Sequence, residues 1–181
     1  PTYINKTKHL GIYENLKKSP TGLGADDYNY NYGLSSWIFI MAQGAEFGLG
    51  YSKFTKILDY GGKPTIWYNP DKHTLRITTK MKKNNNVIDK KIYETKDFKL
   101  QKWNNIVINY IGGTLDIFIN KQLVSSIQNI IPYMSSDQIT IGDIHGISGS
   151  VSNVTYFAAP ITKGRIDTFY DMLVNKDPPT V

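Results

Sequence analysis

From residue 26 onward the chain alternates. Tyr28, Tyr30 and Tyr32 are separated by Asn29 and Asn31, and a period of two is the mark of a strand. The run from Ser35 to Met41 is dense in aromatic and β-branched residues and reads as a core strand. Further strands are expected over Thr55–Tyr60, Pro64–Tyr68, Thr74–Met81, Val87–Glu94, Trp103–Tyr110, Leu115–Asn120, Gln122–Ser126, Ile139–Gly142 and Gly149–Phe157. With one short strand near His9–Tyr13, this makes about a dozen short strands punctuated by turns.

The turn signals are specific. Gly61-Gly62 and Asn69-Pro70-Asp71 end strands. Lys82 to Asn86 reads as a hairpin tip, Gly112-Gly113 suits a two-residue turn with positive φ, and residues 44–51 form a Gly-rich loop. The period changes only near the C-terminus. Ile166, Phe169, Tyr170 and Leu173 fall at helical spacing behind Thr162, a natural N-cap, and Pro178-Pro179 closes the segment. Many short strands followed by one helix predict an all-β, two-sheet antiparallel sandwich of the jelly-roll type with one short C-terminal helix. Residues 1–24 read as an N-terminal arm, and 25–181 as a single jelly-roll domain ending in a helix over 162–175.

Composition narrows the chemistry. The chain has 181 residues, no cysteine and a formal charge of +6. Disulfides, thiolate metal sites and cysteine nucleophiles are thereby excluded. All basic residues except Arg76 and Arg165 are lysine. A reader of nucleic-acid sequence is expected to use arginine for bidentate contacts, so no sequence-specific nucleic-acid partner is expected. No apolar run is long enough to span a membrane as a helix, and no targeting pattern is visible. The chain begins at Pro1, so it is expected to be a fragment or a processed form.

Several segments occur together in a recognisable order. They are Leu34 to Phe39, Ile57 to Gly62, Lys102 to Val107, Asp116 to Asn120, Ile141-Gly142 and Gly146 to Phe157. This order resembles the laminin-G-like branch of the concanavalin A-like jelly rolls. The terminal helix and its Lys-Asp-Pro-Pro tail resemble domains in virion proteins of nucleocytoplasmic large DNA viruses. The resemblance implies the fold, and the scaffold carries lectins, glycosidases and structural modules alike. One departure is visible: the hairpin after Ile119 reads Asn120-Lys121 where Asn-Gly is usual. Lysine at positive φ is strained, so a longer or different turn is expected there.

Candidate sites follow from chemistry. Glycoside hydrolysis needs two carboxylates flanking the bond. The glutamates are Glu14, Glu46 and Glu94, and none stands two residues from an aspartate, so no enzymatic activity is expected. His9, His73 and His145 are far apart, with no metal-ligand spacing. The relatives implied by the resemblance often bind calcium on rim loops, which makes Asp59 and Asp143, or else Asp26 and Asp27, the candidate metal ligands; the solvated-turn reading of each is the plainer one. Tyr28, Tyr30, Trp67, Tyr68 and Asn69 combine rings with amides, as sugar sites do, and Trp67-Tyr68 must send one ring outward. Trp37 and Trp103 read as core. Lys80, Lys82, Lys83, Lys90 and Lys91 surround a hairpin and could meet anions, or simply protect an edge from strand pairing. Asn5-Lys6-Thr7 and Asn153-Val154-Thr155 match the glycosylation pattern at the rate chance allows.

The function expected is a non-catalytic structural or attachment module, at a virion or cell surface or in a minor capsid position, contacting protein neighbours or glycan. A calcium-assisted lectin-type domain is the alternative, and a glycoside hydrolase ranks last. No cofactor is required, although calcium is possible.

Overall fold

The structure is a computed structural model. It describes residues 29–44, 51–134 and 138–180, together with the backbone of three short strands, β1 (Thr2–Ile4), β2 (Lys8–His9) and β3 (Glu14–Lys17). The remaining elements are β4 (Tyr32–Ile40), β5 (Thr55–Tyr60), β6 (Thr65–Asn69), β7 (Thr74–Lys83), β8 (Asn86–Thr95), β9 (Trp103–Ile111), β10 (Thr114–Ile119), β11 (Gln122–Ile127), β12 (Ile139–Ile141), β13 (Gly149–Phe157) and α1 (Lys163–Leu173). Among the described residues they form two antiparallel sheets. Sheet A runs β1-β13-β4-β9-β10-β11, with β2 also on β13, and sheet B runs β3-β12-β5-β6-β7-β8. The segment read as an arm therefore supplies three short strands rather than one, and these reach both sheets.

The core lies between the sheets. Leu34, Ile38 and Ile40 of β4 meet Ile57, Leu58, Ile66, Leu75 and Ile77 of sheet B, with Ile106, Ile108, Leu115 and Ile117 beside them. One end of this core is a tyrosine cluster. Tyr32 stacks on Tyr110 at 4.6 Å and meets Tyr60 edge-on at 5.7 Å. Its hydroxyl donates to the Lys63 carbonyl at 2.6 Å. The Tyr110 hydroxyl shares a 3.0 Å hydrogen bond with the Thr79 hydroxyl. Burial pushes the Tyr32 hydroxyl well above its ordinary range, and the neighbouring Tyr110 and Tyr60 add to the shift. Tyr110 is raised mainly by burial too.

Helix α1 covers the outer face of sheet A. Thr162 is its N-cap and accepts from the Arg165 amide. Asn109 acts as a short strand for the approach segment: its Nδ2 donates to the Ile161 carbonyl at 2.8 Å, and its Oδ1 accepts from the Ile161 amide at 2.9 Å. Gly33 leaves room for this contact, since a Cβ there would stand 2.7 Å from both Asn109 Oδ1 and Ile161 Cγ1. Ile161 and Ile166 then pack on Val107 and Phe118. Trp37 is buried, but beneath the helix, where it stacks on Tyr170 at 5.5 Å, so it is not the inter-sheet core residue expected from sequence. Trp103 is half-buried on the same outer face and donates from Nε1 to Asp177 at 2.7 Å, again outside the core.

The hairpin turns follow the chemistry of their residues. Asn84-Asn85 and Gly112-Gly113 both take positive φ, the conformation of a two-residue hairpin loop. Asn120-Lys121 does the same, with φ of 49° and 62°, and Ile119 pairs directly with Gln122. The longer turn expected there does not form. Asn120 holds the tight one, accepting from the Asn105 amide at 2.9 Å and donating to Asn104 Oδ1 at 3.0 Å.

Candidate functional site: the outer face of sheet B

Strand alternation and two bulges build this face. Ile57 and Leu58 are both buried, because pairing shifts by one residue between Lys56 and Leu58. A bulge inserts one unpaired residue and resets the alternation. Lys56 and Asp59, three apart, are thus turned to the same outer face, where they form an ion pair at 3.0 Å. Opposite Ile77–Thr78 a second shift does the same for Lys91 and Glu94, which stand 3.9 Å apart.

Two rows cross the sheet as a result. The first is Lys56, Trp67, Arg76 and Glu94, each paired with the next across β5, β6, β7 and β8. The second is Thr140, Asp59, Thr65, Thr78 and Lys91. Trp67 stands in the middle, half-buried, with the Lys56 ammonium 5.5 Å from its ring centroid. Its Nε1 donates to the Thr78 hydroxyl at 2.9 Å, which fixes the ring plane. Arg76 lies 3.6 Å over the Phe54 ring and donates to Glu94 at 2.6 Å. Hydrogen bonding to Arg76 holds the Glu94 carboxyl below the usual carboxylate range. By register, Lys80 and Lys82 continue the face toward the hairpin tip, with Asp89 opposite Lys80. Cations outnumber carboxylates, and the ring at their centre offers a flat, partly exposed surface.

The predicted residues divide among several places. Trp67, Asp59, Lys80 and Lys91 come together on this face, and Lys82 stands farther along β7, where it lines the cleft that also holds Tyr30. Tyr68 does not: it is buried in the core and packs against Phe98, because it is the inward member of the Trp67-Tyr68 pair. Asn69 is buried as well, and its Oδ1 accepts from the Lys72 amide to close the turn, so it is not available to a ligand. Lys83 and Lys90 fall on the other side of the hairpin, Lys90 opposite Thr79. Tyr30 is 43 % exposed and lines a separate cleft of about 400 Å³ with Tyr133 and Ile131. Tyr28, Asp26 and Asp27, positions 45–50 of the Gly-rich loop, and Asn5 lie outside the described residues. Asn153 is buried in β13, which removes it as a glycan acceptor in the folded chain.

The two candidate metal ligands among the described residues are occupied by protein groups. Asp59 Oδ1 accepts from the Gly62 amide at 2.6 Å and the Thr65 hydroxyl at 3.0 Å, and Oδ2 takes the Lys56 ammonium. Asp143 Oδ2 accepts from the Lys56 amide at 3.3 Å. Both carboxylates border Lys56, but a cation between them would have to displace its ammonium. Among the described residues no group of three or more His, Asp or Glu side chains gathers to hold a metal ion. No helix among them is long and apolar enough to cross a membrane.

These features define the class: a two-sheet antiparallel β-sandwich of jelly-roll type, with one outer face covered by a helix and the other presenting charged and aromatic rows. Solved structures with the same fold include the botulinum neurotoxin serotype D binding domain, at 13 % identity and TM-score 0.58, over 79 % of this chain and 37 % of that one. The botulinum neurotoxin type G receptor binding domain matches at 15 % and 0.59, over 78 % and 38 %. An HCR/D variant matches at 13 % and 0.62, over 92 % and 46 %. The chain spans less than half the length of these structures, and at such identity the likeness shows the fold. No protein-family model matches the chain, and no curated protein matches it.

Proposed function

We propose that the chain is a non-catalytic attachment module whose outer face of sheet B contacts glycan. The observation that carries this is the row Lys56–Trp67–Arg76–Glu94. It presents a ring held by a hydrogen bond and flanked on the neighbouring strands by two cationic residues, Lys56 and Arg76. Sugars stack on such rings, and adjoining cations favour sugars that bear negative charge. The receptor-binding role named for the structural neighbours is consistent with an attachment role here. The sequence resemblance to virion domains supports a setting on a virion surface, where protein neighbours would meet the remaining edges.

A calcium-assisted lectin is less favoured, since Asp59 already satisfies both its oxygens within the protein. The test is a glycan array with the purified chain, run with calcium and with chelator, on wild type and Trp67→Ala. Binding that survives chelator and is lost in Trp67→Ala supports the proposal. The proposal is overturned if no glycan on the array depends on Trp67 for its binding, or if the Trp67-dependent binding needs calcium.

A further inference from the structure

A cleft of about 430 Å³ opens on the opposite side of the molecule, between the outer face of sheet A and the end of α1. Its volume falls in the roughly 300–1,000 Å³ range of small-ligand sites. Phe39 and Trp103 form one wall, their rings 5.5 Å apart and tilted at 52°. The floor is a locked amide network. Asn104 Nδ2 donates to the carbonyls of Lys99 and Lys102 at 2.8 and 2.9 Å, and its Oδ1 accepts from Asn120. The network is complete without a ligand, so the floor is preorganised.

The charge of the lining is not balanced. Lys99, Lys102 and Lys176 face a single carboxylate, Asp177. That carboxylate accepts from Trp103 Nε1, and Lys176 donates to the Thr180 carbonyl. Neither Lys99 nor Lys102 has a carboxylate partner among the described residues. Gln101, also in the lining, holds a left-handed φ of 56°. A non-glycine residue in that region is strained, and such strain gathers at ligand sites.

We infer that this cleft binds an anionic sugar, a saccharide unit bearing sulphate or carboxylate. The sugar ring stacks on Trp103, its acid group meets Lys99 and Lys102, and its hydroxyls meet the amides of Gln101 and Asn175. This site is separate from the Trp67 face and does not depend on it.

The test follows the Trp103 indole N–H by NMR while the chain is titrated with a sulphated disaccharide, a uronate disaccharide lacking sulphate, and a neutral disaccharide. The resonance is assigned with Trp103→Phe. The expected result is a saturable shift with at least one anionic disaccharide and none with the neutral one. Lys102→Glu should weaken binding roughly tenfold or more. Asp177→Asn keeps an acceptor for Trp103 and removes the opposing charge, so it should tighten binding. Trp67→Ala should leave the shift unchanged, which separates this site from the face of sheet B. No shift with either anionic disaccharide at about 10 mM, equal binding of the neutral one, or indifference to Lys102→Glu and Asp177→Asn would overturn the assignment.

Discussion

Trp67 illustrates how much one side chain's orientation decides. Its neighbour Tyr68 is aromatic too and is sealed in the core, while Trp67 stands beside Lys56 on the outer face of sheet B. Trp67→Ala is expected to abolish glycan contact at the face of sheet B yet lower stability by only about 1–2 kcal/mol, as read from the array spots that depend on Trp67 and from urea unfolding. Glu94 gives a pH-dependent counterpart. Its folded pKa is depressed by Arg76, so its contribution is present above the unfolded value of 4.5 and is lost as pH falls through the folded one. The pair is partly exposed, so this contribution is no more than roughly 1 kcal/mol. In an NMR titration of the carboxyl, Arg76→Gln should move the midpoint of Glu94 back toward its ordinary value. Lys121 is strained by its left-handed backbone. Lys121→Gly should therefore raise Tm by up to roughly 4 °C, the loss of its exposed pair with Asp171 notwithstanding.

At the scale of elements, helix α1 is held to sheet A by a few directional contacts. Asn109 bonds both polar groups of Ile161 in a buried setting. Asn109→Ala leaves those two groups without partners, at about 1–3 kcal/mol each. Ile166→Ala removes the apolar anchor, at about 2–4 kcal/mol. Either change should speed amide exchange across residues 163–173 more than in β9 or β10, because the sheet keeps its own hydrogen bonds when the helix lifts. The bulges are the second element-level device. Removing the extra residue at Ile92 would turn Lys91 or Glu94 inward and disrupt the rows, so a deletion there is tolerated far less well than one at the exposed hairpin tip.

The whole molecule is a sandwich whose two outer faces have been put to different uses, one packed under a helix and one left charged. Its core carries an unusual constraint in the tyrosine cluster. Tyr32 and Tyr110 have folded pKa values raised by burial. A raised value means that the stabilising neutral form is fully present below the unfolded pKa near 10 and is lost as pH rises through the folded one. The chain should hold its fold to about pH 10 and then unfold cooperatively. Tyrosinate absorbance from these rings should appear together with the loss of far-UV circular dichroism. If the part of the absorbance that Tyr110→Phe removes rises ahead of unfolding, the cluster is open to solvent.

The alternation of apolar residues and the turn chemistry of Gly112-Gly113 and Asn84-Asn85 were enough to predict most strands to within a residue or two. Thr162 with the 3.6-residue spacing after it was enough for the helix. These are local signals, carried by φ preferences and by which side chains seek the interior. The sequence also showed that Trp67 and Tyr68 must face opposite ways, without showing which faced out. The grouping of the site was not local. Lys56 with Asp59, and Lys91 with Glu94, share a face only because bulges interrupt a period of two, and no residue at Ile57 or Ile92 announces a bulge. Trp37 and Trp103 read as core because hydrophobicity records burial, not which layer buries it; only the docking of α1 placed them beneath a helix and its tail. The Trp103 cleft is the extreme case. Its walls come from β4, β9 and the chain after α1, so it exists only once segments far apart in sequence are packed together.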